Sequence, residues 1–288
     1  MADIVGSGDF QYRIVADWGR LPDGWSFKEV AAVAVDHNDN VYCFNRGEHP
    51  MMVFDRDGNF LRSWGEGQYP RAHGAHMAPD ESLYLTDDGA HCVRKCRLDG
   101  RVLLEIGIPG KPAAFMSGEP FHRCTHTALS PSGEIYVSDG YGNARVHKFS
   151  ADAQHLFSWG EPGAAPGQFN LPHGVWIDRR GRVLVADREN DRVQVFDQQG
   201  KLLQVWPVEL IGPAFFYVDP DDIVYVPEHN GGFISILTLD GERLARWGDG
   251  PVMRSTHGIW GDSQGNIYAV QPGSWTPRAR RIVKYERQ

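Results

Sequence analysis

A recurring pattern of three short apolar runs is the feature of this sequence that most limits its fold. Residues 41–65, 135–160 and 183–206 each alternate such runs with turn residues. Gly, Asp, Asn and Gln precede the last run of each segment, as expected for β-hairpins. The last run ends in Trp-Gly or a weaker version of it six times: at Trp18-Gly19, Trp64-Gly65, Ile106-Gly107, Trp159-Gly160, Val205-Trp206 and Trp247-Gly248. Six such ends indicate six copies of one repeat.

The repeats at the two ends of the chain are incomplete and complement each other. Residues 12–19 form a single candidate strand before the first full repeat, whereas residues 257–285 supply three strands and stop. Pairing the first strand with the last three would close a ring and protect the sheet edges. The sequence therefore predicts an all-β, six-bladed β-propeller, one domain over residues 1–288, in which a strand at about 11–19 completes the last blade. A pair of β-sandwiches would leave the displaced first strand unexplained.

Histidine occupies the same place in alternate repeats. When the repeats are aligned at their first strand, one residue from each is equivalent: Ala31, His73, Thr125, His173, Ala214 and His257. The first strand of each blade should line the central channel, so histidines from the second, fourth and sixth blades would converge on the axis. Histidine makes up only 12 of the 288 residues. Histidine at the aligned position of all three alternate repeats is therefore not expected by chance.

Three converging imidazoles suit a metal ion that keeps one position open for water or substrate. We therefore predict that His73, His173 and His257 bind Zn²⁺, and the same ligand set also accepts Fe²⁺ or Mn²⁺. The alternative is that these histidines bond to neighbouring strands and only fill the channel.

The loops between the second and third strands should lie on the histidine face. Arg46 and Arg188 occupy equivalent places in two of these loops, and a guanidinium suits a substrate that carries a carboxylate. A surface ion pair with a nearby acid is the alternative for both. Tyr141, in a third loop, could exchange a proton with a substrate if a cation favours its phenolate, or could simply pack.

Several features keep more than one interpretation. His126 lies one residue past the aligned position, which favours a packing or supporting role. The sequence does not assign His76 or His49. Residues 271–280 could cover the mouth of the channel or form an oligomer contact, and the oligomeric state is left open.

The composition argues against several classes of partner. The net charge is −8, without a run of Lys or Arg, which argues against nucleic acid. No apolar run reaches the roughly 18 residues of a membrane span. The first ten residues lack the basic start and apolar stretch of a secretory signal. We therefore expect a cytoplasmic protein that acts on a small molecule, with no nucleic acid or membrane partner.

The motifs resemble those of the NHL-repeat family, and more closely the peptidyl-α-hydroxyglycine α-amidating lyases. The resemblance covers nearly the whole chain in blade order. "RGEH" at 46–49 is similar to the Arg-Gly-Asp-His loop of that family. "RAHG", "LPHG" and "STHG" are similar to its three zinc-binding segments, and "VSDGYGNAR" and "VADREN" to its tyrosine and second arginine loops.

The resemblance implies a role for each residue of the site. Zn²⁺ would be held by the three aligned histidines, Tyr141 would be the acid–base residue, and Arg46 and Arg188 would place the substrate. The implied reaction cleaves a carbinolamide, N–CH(OH)–COO⁻, into an amide and glyoxylate. The family's structural calcium uses an aspartate where this chain has Gly258, which argues against Ca²⁺ here. The family's disulfide positions are also lost. Because a cytoplasmic chain would not process secreted peptide hormones, we expect a small hydroxy acid or amide derivative as substrate.

Three functions follow from these observations. The first is a metal-dependent lyase that acts on a carbinolamide-like or α-hydroxy substrate. The second is a metal-dependent hydrolase of an ester, lactone or amide on the same site. The third is a non-catalytic propeller that binds a partner on one face, which would require a broad apolar or basic patch.

Overall fold

The computed structural model describes residues 4–15, 17–248, 253–273 and 281–288, which form six antiparallel sheets. Two strands precede the first complete sheet: β1 (Ile4–Ser7) and β2 (Phe10–Val15). Blade 1 consists of β3 (Val30–Val35), β4 (Val41–Asn45), β5 (Met51–Phe54) and β6 (Phe60–Trp64). Blade 2 consists of β7 (Ala72–Met77), β8 (Leu83–Asp87), β9 (Cys92–Cys96) and β10 (Val102–Ile106). Blade 3 consists of β11 (His126–Leu129), β12 (Ile135–Asp139), β13 (Arg145–Phe149) and β14 (His155–Trp159).

The second half of the ring repeats this order. Blade 4 consists of β15 (Pro172–Ile177), β16 (Val183–Asp187), β17 (Arg192–Phe196) and β18 (Leu202–Val205). Blade 5 consists of β19 (Tyr217–Val218), β20 (Val224–Glu228), β21 (Phe233–Leu237) and β22 (Arg243–Gly248). Blade 6 contains β23 (Gly258–Gly261), β24 (Ile267–Val270) and β25 (Ile282–Arg287). The fold is the six-bladed propeller that the repeat predicted.

The N-terminal strand closes the ring, as predicted. The sheet of blade 6 has the order β1-β2-β25-β24-β23, and β2 pairs antiparallel to β25 with Tyr12 opposite Arg287. This strand ends at Val15 and not at about residue 19, because Asp17 has a φ of 54°, a left-handed conformation that interrupts extended chain. The sequence did not predict β1, which adds a fifth, outermost strand.

The repeated Trp-Gly ends of the blades have a packing role. Three of these tryptophans, Trp64, Trp159 and Trp206, each cover a glycine in the turn before the last strand of the next blade, where a Cβ would come too close to the indole. The distances from such a Cβ are 2.7 Å for Gly100 to Trp64, 2.8 Å for Gly200 to Trp159, and 2.4 Å for Gly241 to Trp206. The tryptophan and the turn glycine therefore recur together because they form the same contact between adjacent blades.

Small residues on the inner strands let the blades approach the axis. β3 has the sequence Val-Ala-Ala-Val-Ala-Val and is buried along its whole length. The one helical segment among the described residues is the short 3₁₀ turn Arg188–Asn190, and no helix there has the length and hydropathy needed to cross a membrane. Most of the segment 271–280 lies outside the described residues, so its suggested role stays a prediction.

Candidate metal centre and active site

Three histidines from alternate blades meet on the propeller axis. These axial histidines, His73, His173 and His257, are each at most 2% exposed. Their ring centroids lie 4.7 to 5.0 Å apart, and one nitrogen from each lies within 4.8 Å of the others. They lie together as the alignment of the repeats predicted, and their role as metal ligands stays a prediction.

Each axial histidine is oriented by a carbonyl of the following blade. The Nδ1 atoms lie 2.7 Å from Thr125 O for His73, 3.2 Å from Ala214 O for His173, and 2.7 Å from Ala31 O for His257. These carbonyls belong to the three non-histidine residues at the aligned position. Because a carbonyl only accepts, Nδ1 must carry the proton, and Nε2 keeps its lone pair.

The glycine after each axial histidine allows this arrangement. A Cβ at Gly174 would lie 2.4 Å from Ala214 O, and one at Gly74 would lie 2.6 Å from Thr125 O. At Gly258 the nearest atom is Ala32 Cα at 2.8 Å. The pair His-Gly therefore recurs because only glycine lets the next blade come near enough to orient the imidazole.

The axial histidines are neutral. Burial lowers the pKa of all three well below the ordinary value. Positive neighbours lower the pKa further, foremost Arg46 for His73 and Arg188 for His173. Neutral imidazole is the form that binds a metal, so burial and the two arginines keep the cluster ready for one.

The geometry of the cluster fits a metal ion. Nε2 of His173 and Nε2 of His257 lie 3.2 Å apart, with both protons committed to Nδ1. Two lone pairs thus face each other in a buried site, a contact that a cation would relieve. Ligands at about 2.0–2.1 Å from a tetrahedral zinc are separated by about 3.3 Å, close to the separation observed.

Tyr141 lies over the axial histidines. Its hydroxyl is 3.1 Å from Nε2 of His73 and 3.4 Å from Nε2 of His173. The loop that carries it is tightly held, because a Cβ at Gly140 would lie 2.3 Å from Pro172 O and because Asn143 bonds to a buried aspartate. The hydroxyl is therefore fixed beside the nitrogens that would bind the metal.

The two predicted arginines reach the same site from opposite blades. Arg188 Nη1 lies 3.5 Å from the Tyr141 hydroxyl, and Arg46 Nε donates to Ala72 O at 2.8 Å. Each arginine also forms an ion pair, as the alternative interpretation of a surface ion pair predicted. Arg46 lies 3.3 Å from Glu29, and Arg188 lies 2.8 Å from Glu189. Their side chains are only 13% and 12% exposed, so they are not simple surface ion pairs.

His229, a further histidine near the axis, was not predicted from the sequence. Its ring centroid is 5.7 Å from that of His257, and burial, helped by Arg188, lowers its pKa to about 3. His229 follows β20 directly, as Arg46 follows β4 and Arg188 follows β16. This shared register is the signal that could have identified it.

Aromatic rings fill the channel below the axial histidines. Phe215 lies 4.5 Å from His257 and stacks on His126 at 4.3 Å. His126 nitrogens approach Val175 O at 3.1 Å and Ala75 O at 3.4 Å, which agrees with the expected supporting role. Gly258, where the amidating lyases have a calcium-binding aspartate, packs against Ala32 of blade 1. The expectation that this protein binds no structural Ca²⁺ stays a prediction.

The two unassigned histidines lie away from the axial cluster. His76 packs between Trp176 and Trp260 further along the channel, with centroids 5.1 and 5.5 Å away. His49 stacks on Trp25 at 3.3 Å at the rim of blade 1.

Comparison with known protein families gives a consistent result. The NHL repeat model matches residues 169–196. Human NHL repeat-containing protein 3 is 34% identical over 247 residues, which cover 81% of this chain and 69% of that protein. Rat peptidylglycine alpha-amidating monooxygenase is 30% identical over 233 residues, 68% of this chain and 23% of that protein. The peptidyl-alpha-hydroxyglycine alpha-amidating lyase 1 of Drosophila melanogaster is 30% identical over 192 residues, 62% of this chain and 34% of that protein.

Solved structures share the architecture at lower identity. A streptogramin B lyase superposes with a TM-score of 0.64 at 16% identity, covering 92% of this chain and 85% of that one. A gluconolactonase from Xanthomonas campestris has a TM-score of 0.69 at 12% identity, covering 96% and 89%. These likenesses concern the fold alone. Repeat, propeller and relatives together place the chain in the NHL-repeat family, with sequence similarity to the peptidyl-α-hydroxyglycine α-amidating lyases.

Proposed function

We propose that this protein is a metal-dependent lyase that cleaves a carbinolamide-like or α-hydroxy acid substrate at the axial histidines. The observation that carries the proposal is the meeting of three neutral, Nδ1-protonated imidazoles under a tyrosine hydroxyl 3.1 Å from one Nε2. Similarity to amidating lyases, at about 30% identity, supports the same chemistry. Zn²⁺ suits the ligand set, and Fe²⁺ or Mn²⁺ would also be accepted.

In the proposed reaction, the substrate would be activated by the metal and Tyr141 would transfer the proton. When bound, the metal supplies Lewis acidity that makes the α-hydroxyl of the substrate more acidic. Tyr141, in its phenolate form, would take the hydroxyl proton, the O–H electrons would form the new C=O bond, and the C–N bond would break. The leaving nitrogen takes up a proton, so that one amide and one α-keto acid or aldehyde acid form without consuming water. Tyr141 is placed to return that proton.

The arginines would hold the carboxylate of the substrate. Arg46 and Arg188 lie on opposite blades, and each offers N–H groups beyond those bonded to Glu29 and Glu189. A carboxylate between them would set the α-carbon over the axial histidines. The positive charge of these guanidiniums also helps to keep the histidines in the neutral form that binds a metal.

The first experiment measures metal content. Elemental analysis of purified protein should find about one transition metal per chain, lost in His173→Ala. His155→Ala, which removes an exposed histidine on β14, should keep the metal. If the wild type stays metal-free after incubation with zinc, iron and manganese, the proposal fails and a binding role becomes the better interpretation.

Product analysis then separates the lyase from the hydrolase. N-acyl-α-hydroxyglycines would be incubated with the metal-loaded protein. A lyase releases glyoxylate and the intact primary amide, whereas an amide hydrolase releases the free carboxylic acid of the acyl group. Tyr141→Phe should retain the metal and lose most of the glyoxylate release.

A further inference from the structure

Two arginines near Tyr141 have no role in the proposed reaction. Arg71 lies two residues before His73, and Arg123 occupies the equivalent place in the next blade, two residues before Thr125. Neither was assigned a role from the sequence. Arg71 is the first residue of the "RAHG" segment, and Arg123 lies outside the segments similar to the amidating lyases. They lie where the chain enters blades 2 and 3 on the histidine face.

Both arginines bind one oxygen of a buried aspartate. Arg123 donates to Oδ2 of Asp88 through Nη2 at 2.8 Å and Nε at 3.2 Å, and Arg71 Nη1 binds the same oxygen. Asp88 is fully buried, and Oδ1 has no hydrogen-bond partner among the described residues. The aspartate therefore fixes two guanidinium groups side by side.

The pair keeps unused donors that face solvent. Each guanidinium has five N–H groups, and Asp88 takes only part of them. The side chains of Arg71 and Arg123 are 39% and 38% exposed. Two guanidiniums share one carboxylate, so the side chains of Arg71, Arg123 and Asp88 together carry a charge of +1. An incoming anion would relieve the repulsion between the guanidiniums.

The pair also lies beside the proposed reaction centre. The Cζ atoms of Arg71 and Arg123 are 6.0 and 4.7 Å from the centroid of the Tyr141 ring. Arg188 approaches the same ring at 5.6 Å. The pair therefore lies within reach of a second acidic group on a substrate bound at the Tyr141 hydroxyl.

More arginines lie near Tyr141 and the axial histidines than one carboxylate requires. Four arginines, Arg46, Arg71, Arg123 and Arg188, form ion pairs with three acids, Glu29, Asp88 and Glu189. One arginine can bind a carboxylate in a bidentate manner, and two lie in the Arg46 and Arg188 positions already. The Arg71–Arg123 pair is left for a second anionic group.

We propose that Arg71 and Arg123 form a second anion-binding position, and that the natural substrate carries an acidic group on its acyl or leaving-group side besides the α-carboxylate. The inference rests on the proposed function for the identity of the reacting centre. A carboxylate and a phosphate or phosphonate share the chemistry that this position recognises. The substrate class is thus a dianionic α-hydroxy amide.

Matched substrates test the position. N-succinyl-α-hydroxyglycine carries the second acid, N-succinamoyl-α-hydroxyglycine is its neutral isostere, and a phosphonoacetyl analogue distinguishes phosphonate from carboxylate. We expect KM for the acid to be about tenfold lower than for the neutral isostere, with the preference weakening as salt rises. In Arg71→Gln/Arg123→Gln the ratio should fall to within about twofold, whereas Arg97→Gln, an exposed control, should keep it.

The ratio separates recognition from a structural defect. A variant that is merely misfolded or loosened loses activity on both compounds equally and leaves the ratio unchanged, which would overturn the proposal. Equal KM values for the acid and its isostere in the wild type would also overturn it. Calorimetric titration of the metal-loaded protein with succinate and succinamate gives the same comparison without turnover. A preference for succinate that disappears in the double variant, without glyoxylate release by the wild type, would refute the lyase and retain the anion position.

Discussion

Adding one methyl group at Gly174 should detach an axial histidine from its support. The new Cβ would lie 2.4 Å from Ala214 O and 2.9 Å from Phe215 Cα. An ordinary C···O contact is about 3.3 Å, so the carbonyl must retreat by about 0.9 Å. The bond from His173 Nδ1 to that carbonyl is already 3.2 Å long, and such a retreat takes it out of hydrogen-bond range.

The expected cost has two parts. Overpacking a rigid interior typically costs about 1–3 kcal/mol of unfolding free energy. Loss of the carbonyl that orients a metal-binding histidine typically weakens metal affinity roughly 10- to 100-fold. Gly174→Ala should therefore lower the melting temperature of the metal-free protein and also weaken zinc binding, measured by competition with a chelator of known affinity.

A second glycine provides the control. Gly261→Ala would bring a Cβ to 2.4 Å from the Tyr217 ring, at the end of the blade 6 strand that begins directly after the axial histidine His257. It should lose comparable stability and keep its zinc affinity. If Gly174→Ala binds zinc within twofold of the wild type, or if both variants lose affinity equally, the glycine does not act through the carbonyl.

Three further changes have defined outcomes. Tyr12→Ala, which empties a fully buried position in the ring-closing strand, should cost about 3–5 kcal/mol in urea unfolding; a loss below 1 kcal/mol would mean that the closure contributes little. Burial lowers the pKa of His76 to about 3 and of His126 to about 4, so the unfolded chain binds more protons below about pH 6.5. The free energy of unfolding should therefore be highest above pH 6.5 and fall by about 3 kcal/mol per histidine by pH 4. In His76→Gln the fall should be smaller. An unfolding free energy that stays constant between pH 7 and 4 would contradict this. Asp88→Asn should release Arg71 and Arg123, raising KM for the dianionic substrate more than for its neutral isostere, and equal changes would argue for a purely structural role.

Much of the candidate site was predictable because a closed repeat ties position in the sequence to position in space. Aligned residues of successive blades lie at the same height and are rotated about one axis. Three histidines in alternate copies must therefore converge, and loops in the same register must share a face. Arg46, Tyr141 and Arg188 could be assigned to that face for the same reason.

The residues that were missed depend on contacts between blades. Arg71 only begins the "RAHG" segment and Arg123 lies outside the recognised motifs, and only the fold brings both to Asp88. His229 shares the register of Arg46 and Arg188, but its relation to His257 depends on how far blade 5 leans toward the axis. The N-terminal strand β1 was missed because its four residues, "IVGS", carry a weak strand pattern and are stabilised by pairing with β2 and by packing of Val5 against the core.

The sequence by itself determined the number of blades, the closure of the ring and the height at which the histidines lie, because these follow from the period of the repeat. Only the tertiary structure decided the chemical state of the site. The proton on each Nδ1, the neutral charge of the imidazoles and the exposure of the Arg71–Arg123 pair all depend on carbonyls, burial and charges supplied by the neighbouring blade. These contacts join neighbouring blades and therefore residues that are far apart in the chain, so no local pattern of residues specifies them.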